Sequence, residues 1–389
     1  MITPSGPAKI GERLASARPQ NDEAAERFAI EAEGETSSLA PPSDVRLFSA
    51  VDLAAPLPPF QWVSKAFGLI HGRVLALSGF GDAGKTFAGM DLLLAVAAGG
   101  VAMGSVKVDI EGPVLHIDYE QQYHVTAMRY QRLAKGRGID LASLGDRLQY
   151  ASGTEGKGRA PLLTVENAER WLTRVCAGKS VVLVDNFSAS TGGGLDMNKS
   201  SSAEIPYMLG RVSAATGAAL LLVIHETKPS GDRDSSRTKG QKMMGSAQIH
   251  GALGGGLGFT RVDSGAIMVE QTKATMGQAP EPAYFRLVDE GPTDASTRCS
   301  ESLRLEWVPA EEQAEESEKA KRVKAAPPRG MVRDVLAFLM KHGPCSGNHV
   351  RLGVDGTNAV KDAALRQLID EGHVTSNPGA RGAVLFSVV

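Results

Sequence analysis

The sequence predicts an α/β fold: a P-loop nucleotide-binding core on a parallel-dominated sheet, followed by a small winged-helix-like domain. Three observations carry this. Strand-like apolar runs alternate with helical segments from Phe67 to about Val308, the pattern of a parallel sheet covered by helices on both faces. One run feeds a turn, Gly79-Phe80-Gly81-Asp82-Ala83-Gly84-Lys85-Thr86, that satisfies G-x-x-x-x-G-K-[ST] at every fixed position. The last sixty or so residues read as three helices and a hairpin, the winged-helix order.

In order along the chain, residues 1–45 are rich in Ala, Pro, Ser and Glu without apolar periodicity and are expected to be a disordered tail. Pro56, Pro58 and Pro59 lead into Phe60-Gln61-Trp62, where the folded core is expected to begin. The ATPase domain is assigned to 46–308, with strands at 73–78, 113–118, 181–185, 219–225, 266–271 and 283–288. Residues 309–328 run from an acidic half to a basic half and read as a solvated linker helix or a disordered hinge.

Within 329–389, Met331–Lys341 is amphipathic and stops at Gly343-Pro344. Ser346 is placed to cap a short helix reaching about Leu352, and Thr357 to cap a third from Asn358 to Glu371. Val360, Ala364, Leu365, Leu368 and Ile369 form the apolar face of that third helix. His373-Val374-Thr375 and Val384-Leu385-Phe386 then flank a turn through Asn377-Pro378-Gly379.

Composition narrows the function. At 389 residues the chain accommodates one large α/β core and a smaller module. With 42% hydrophobic residues and no apolar run of about 18, no membrane span is expected. The N-terminus lacks the basic-then-apolar pattern of a secretory leader. Cys176, Cys299 and Cys345 are too far apart for a zinc spacing or a disulfide framework, so a cytoplasmic protein is expected. A net charge of −2 gives no global attraction to nucleic acid, which must then be met by a local patch or an assembled surface.

The chemistry centres on the P-loop. A strand ending in a tight turn before a helix aims backbone N–H groups at one point, a ready site for the β-phosphate of ATP. Gly79, Gly81, Asp82, Ala83, Gly84, Lys85, Thr86 and Phe87 form this cradle, with Lys85 reaching the β/γ-phosphates and Thr86 ligating Mg²⁺. Hydrolysis also needs a carboxylate near the metal and a group that activates water. Val181-Val182-Leu183-Val184 delivers Asp185 to the carboxyl end of a buried strand, the place for the metal carboxylate. The strand His116-Ile117-Asp118 leads to Tyr119-Glu120. Glu120 is favoured over Asp118 as the water-activating group because its longer side chain, beyond the strand end, reaches further. The strand 219–225 ends in His225, where a polar tip can sense the γ-phosphate. After it, a loop carrying Lys228, Arg233, Arg237 and Lys239 is a candidate grip on DNA phosphates, although Asp232 and Asp234 also suit an ordinary solvated loop.

From about Phe67 to Gly277, a little over half of the chain, the sequence resembles the RecA-like ATPase domain of RepA-type plasmid replicative helicases and related AAA family ATPases of phages and mobile elements. The matching pieces are Gly79–Thr86, His116–Glu120, Asp185-Asn186-Phe187 and Asn198–Gly217. They continue through His225-Glu226-Thr227-Lys228, Gly245-Ser246-Ala247 and Lys273-Ala274-Thr275-Met276-Gly277. The resemblance implies catalytic roles for Lys85, Glu120, Asp185 and His225. It further implies a homo-oligomer, a hexameric ring with ATP between subunits and single-stranded DNA in its channel. One departure stands out: the place of the family's arginine finger falls on Gly254, within a glycine-rich run that reads as flexible, and the arginine that commonly precedes the Gly-Ser-Ala turn is Met244. Arg261 and Lys273 are the substitutes considered for a finger acting on a neighbouring subunit. The expected function is an ATP-hydrolysing motor on single-stranded or duplex DNA. A nucleotide-gated DNA-binding regulator or loader, and a signalling ATPase without nucleic acid, are the alternatives.

Overall fold

A computed structural model describes residues 47–195, 200–226, 247–274, 277–325, 327–379 and 384–389. The expected tail, the basic loop with Lys228, Arg233, Arg237 and Lys239, and Gly245-Ser246 lie outside the described residues. The chain divides into a unit ending at Pro59 and a unit spanning Phe60–Val389. In the first, α1 (Ala50–Ala54) starts in a capping box: the Asp52 N–H donates to Ser49 Oγ at 3.2 Å, and the Ser49 N–H to Asp52 Oδ2 at 2.8 Å.

In the second unit, β1 (Trp62–Ser64) and β2 (Leu69–Ile70) pair ahead of β3 (Val74–Gly79), which enters the P-loop. Helix α2 (Lys85–Ala98) leaves it, and the short hairpin β4 (Val101–Ala102)–β5 (Val106–Lys107) follows. Next come β6 (Val114–Asp118), α3 (Tyr123–Gly136), β7 (Leu148–Ser152), α4 (Ala168–Cys176), β8 (Val181–Asp185) and α5 (Phe187–Ser190). The core closes with α6 (Glu204–Thr216), β9 (Ala219–His225), α7 (Ala247–Ala252), β10 (Gly255–Arg261), β11 (Ile267–Lys273), β12 (Ala283–Thr293) and β13 (Ser300–Val308).

The main sheet has the order β13-β12-β11-β10-β3-β9-β8-β6-β7. From β10 to β7 every neighbour is parallel, while β11, β12 and β13 add antiparallel. The sheet is therefore mixed and mostly parallel. Strands β3, β6, β8 and β9 are apolar on both faces because helices cover both. Leu75, Leu77, Leu183 and Leu221 pack with α2 on one face, and Ala76, Val182, Leu220 and Leu222 pack with α4 and α6 on the other.

The glycine-rich run at 251–256 is not the flexible loop expected from sequence. It leads into β10, wedged between β3 and β11, where a Cβ at Gly255 would sit 2.7 Å from Leu75 Cδ1 and one at Gly258 2.7 Å from Thr272 Cγ2. The glycines let the strands and their side chains close up. Of the segment read as linker or hinge, Ala310–Ala325 forms α8, whose Glu312 and Glu316 each accept from Arg286 of β12 at 3.1 Å.

The C-terminal elements are α9 (Arg329–His342), β14 (Cys345–Ser346), α10 (Gly347–Gly353), α11 (Asn358–Asp370), β15 (Val374–Pro378) and β16 (Val384–Val388). They bury an apolar cluster of their own around Val335, Leu339, Val350, Ala364, Leu368 and Val374. Ser346 caps α10 through a 3.3 Å bond from the His349 N–H. Thr357 occupies the expected N-cap of α11 but makes no side-chain cap bond. Two cations of this module are engaged internally: Lys361 is buried and donates to Arg351 O at 2.6 Å, and Arg351 pairs with Asp362 at 2.8 Å. Among the described residues no helix is long and apolar enough to cross a membrane.

Candidate functional site

Gly84, left-handed at φ 82°, caps α2, and Asp82 just before it also has positive φ, at 60°. The positive φ requires glycine at 84, and a Cβ there would also press on Ile267 Cδ1 at 2.6 Å. The resulting turn faces an open pocket lined by Gly81–Phe87, Glu120, Gln121, Arg129, Asp185 and His225. Four expected site residues from four separate stretches, Lys85, Glu120, Asp185 and His225, thus meet in one place. Gly79 lies just behind, at the end of β3.

Each side chain has a definite setting. Lys85 is 4% exposed and donates to Gly79 O at 2.8 Å and Phe80 O at 2.6 Å; burial lowers its pKa. Thr86 Oγ1 donates to Asp185 Oδ2 at 2.7 Å. The other oxygen, Asp185 Oδ1, is buried without a hydrogen-bond partner, and burial pushes this carboxyl up to about 7. A pocket-lining carboxylate with an unpartnered oxygen, beside a threonine hydroxyl, is a fitting donor set for a divalent cation.

Asp118 and Glu120 sit in different settings. Asp118 is buried and fully engaged: Oδ1 accepts from the Glu120 and Gln121 N–H groups at 2.9 Å, and Oδ2 accepts from Thr126 Oγ1 at 2.6 Å. It organises the turn that presents Glu120. The Glu120 side chain is 41% exposed and lines the pocket, held by a hydrogen bond from Asn186 Nδ2. His225 Nε2 lies 3.7 Å from the same carboxylate oxygen, and the His225 and Asn186 side chains hold its carboxyl below the usual range.

The two substitute fingers are engaged within their own chain. Lys273 Nζ donates to His250 O, Gly251 O and Leu253 O at 2.8, 2.9 and 2.6 Å, closing the C-terminal end of α7. Arg261 donates to Gly265 O at 3.1 Å and to Asp82 O of its own P-loop at 3.2 Å. Two residues that sequence reasoning did not single out also reach the site. Arg129, on α3, lines the pocket with its guanidinium 5.3 Å from the Phe87 ring centre, and Asn186 links Glu120 to His225. For Arg129 the available signal was helical spacing, since Thr126, bonded to Asp118, precedes it by three residues on the same helix.

A family model described as an AAA domain matches residues 39–231, just under half of the chain. It supports an AAA-type P-loop ATPase, and with it nucleotide binding and ATPase activity in general. A search of curated proteins finds no match to this chain.

Proposed function

We propose that this protein is an ATP-hydrolysing RecA-like motor that acts on DNA, in the manner of RepA-type replicative helicases of plasmids, phages and mobile elements. The observation that carries the reading is the convergence of the P-loop, Asp185, Glu120 and His225 on one pocket. Its DNA-directed part rests on the family resemblance of these segments.

The backbone N–H groups of Gly84, Lys85 and Thr86 at the start of α2 receive the β-phosphate. Lys85 exchanges its contacts with the Gly79 and Phe80 carbonyls for phosphate oxygens, which return to it the counter-charge that burial withholds. Thr86 Oγ1 and Asp185 Oδ1 would hold Mg²⁺, which when bound neutralises charge on the β- and γ-phosphates. Glu120 orients the attacking water and takes its proton. Arg129 and Arg261 supply positive charge from the same subunit. In the domain plan that goes with this reading, 46–308 hydrolyse ATP, α8 connects, and 329–389 form a winged helix. The helix–strand–helix–helix–strand–strand order and separate apolar cluster support the last assignment.

A second reading, a nucleotide-gated DNA-binding switch, is favoured by one observation: Lys273 and Arg261 are both tied within their own chain. Hydrolysis with and without single-stranded DNA, measured beside the mass of the assembly, separates the two. Ring-sized assemblies with DNA-stimulated turnover are expected of the motor. A monomer whose slow turnover ignores DNA would exclude it.

A further inference from the structure

Asn186 is 4% exposed and sits between the two groups that stand over the phosphate end of the pocket. Its amide orientation is fixed, because Oδ1 accepts from the Ala189 N–H at 2.9 Å as the N-cap of α5. Nδ2 must therefore face the other way. One of its hydrogens goes to Glu120 Oε2, and the other points at His225 Nε2, 3.1 Å away. Glu120 Oε2 and His225 Nε2 both lie within reach of the same amide nitrogen. The carboxamide thus fixes the direction of one Glu120 oxygen and ties it to His225. Neither contact is needed to cap α5, which uses the opposite side of the amide.

We propose that Asn186 is a positioning residue of the hydrolytic centre, whose amide couples His225 to Glu120 so that the setting of His225 governs the aim of the Glu120 carboxylate. This rests on the reading of Glu120 as the group that activates water. A carboxylate misdirected by about 1 Å can lose roughly 10²-fold in rate while leaving substrate affinity alone. The coupling belongs to kcat, not to ATP binding.

The full-length protein carrying Asn186→Ser tests this, because serine retains the N-cap and neutrality but removes both amide donors. Asn186→Asp, which keeps the cap oxygen and the size, is the second variant. Both are expected to lower kcat by about 10²-fold, with KM for ATP and affinity for a fluorescent ATP analogue within about twofold of wild type. If the amide transmits the influence of His225, His225→Ala combined with Asn186→Ser should cost little more than either alone. Losses that multiply, or a kcat near wild type in both Asn186 variants, would overturn the coupling. Glu120→Gln is measured alongside. If it too turns over at the wild-type rate, the assignment of the base fails and takes the coupling with it. If it is inactive while the Asn186 and His225 losses multiply, only the coupling fails.

Discussion

His116 lies in the middle of β6 with no exposed surface, its Nδ1 3.2 Å from Tyr130 Oη and its Nε2 without a partner. The Tyr130 and Tyr150 rings stand edge-on to it, each 5.8 Å away between centres. Burial pushes its pKa down from 6.5 to about 4. The unfolded chain therefore binds a proton between these values that the folded protein refuses, and stability must rise with pH across that window. The His116 contribution is fully present above about pH 6.5 and lost as pH falls toward about 4. A depression of about 2.5 units at about 1.4 kcal/mol each makes this roughly 3 kcal/mol. His116→Phe keeps a ring in the space but cannot titrate. It leaves the Tyr130 hydroxyl unpaired, a cost of about 1–3 kcal/mol that is the same at every pH in the window. Urea unfolding followed by tryptophan fluorescence reports the core alone, because Trp62, Trp171 and Trp307 are the chain's three tryptophans and none lies beyond 308. Between about pH 7.5 and 4.5, wild type is expected to lose about 2–3 kcal/mol more than the variant. Equal losses would mean that His116 is protonated in the folded core, and the burial reasoning would be wrong.

Lys85→Ala should abolish hydrolysis and weaken binding of a fluorescent ATP analogue, since Lys85 is the cation built into the phosphate cradle; unchanged turnover would remove the P-loop assignment. Arg261→Ala should slow its own subunit, and mixtures with wild type should lose activity only by dilution, because Arg261 bonds its own P-loop; losses steeper than dilution would restore a role across the interface. Lys273→Met should lower core stability by roughly 1–3 kcal/mol in the urea assay through the three carbonyls left unpaired in and just after α7. A fragment of 329–389 should fold alone on its own apolar cluster, as judged by a cooperative melt in circular dichroism. Neutralising Arg233, Arg237 and Lys239 together should abolish stimulation of hydrolysis by single-stranded DNA and leave the basal rate near wild type.

The parallel centre of the sheet was readable because β3, β6, β8 and β9 are short apolar runs ending in polar residues at the pocket. The strands that escaped reading each break that pattern for a physical reason. Strand β7 is a half-buried edge of mixed polarity, β10 is glycine where close neighbours leave no room for side chains, and β13 alternates charged and apolar residues because one face meets water. In the site, residues fixed by local sequence were legible: the cradle, Asp185 at a strand end, Glu120 just past one. The cap that Lys273 places on α7 was not legible because it is a tertiary contact made twenty or so residues away. Asn186 and Arg129 received no role because their partners come from other elements: Asn186 was legible only as part of the Asp185-Asn186-Phe187 match, and Arg129 only through its helical spacing from Thr126.

Helix α3 begins at the Glu120 turn and, over 14 residues, runs to the β12–β13 hairpin on the opposite flank of the sheet. There Arg132 donates to Ser300 O at 2.8 Å and pairs with Asp289, and Lys135 pairs with Glu301. At 1.5 Å per residue the helix is a stiff rod of about 20 Å. Mechanically it is a stiff tie between the hairpin and the turn that presents Glu120. Because both ion pairs at the far end are partly open to solvent, concentrated salt loosens the rod from its lever.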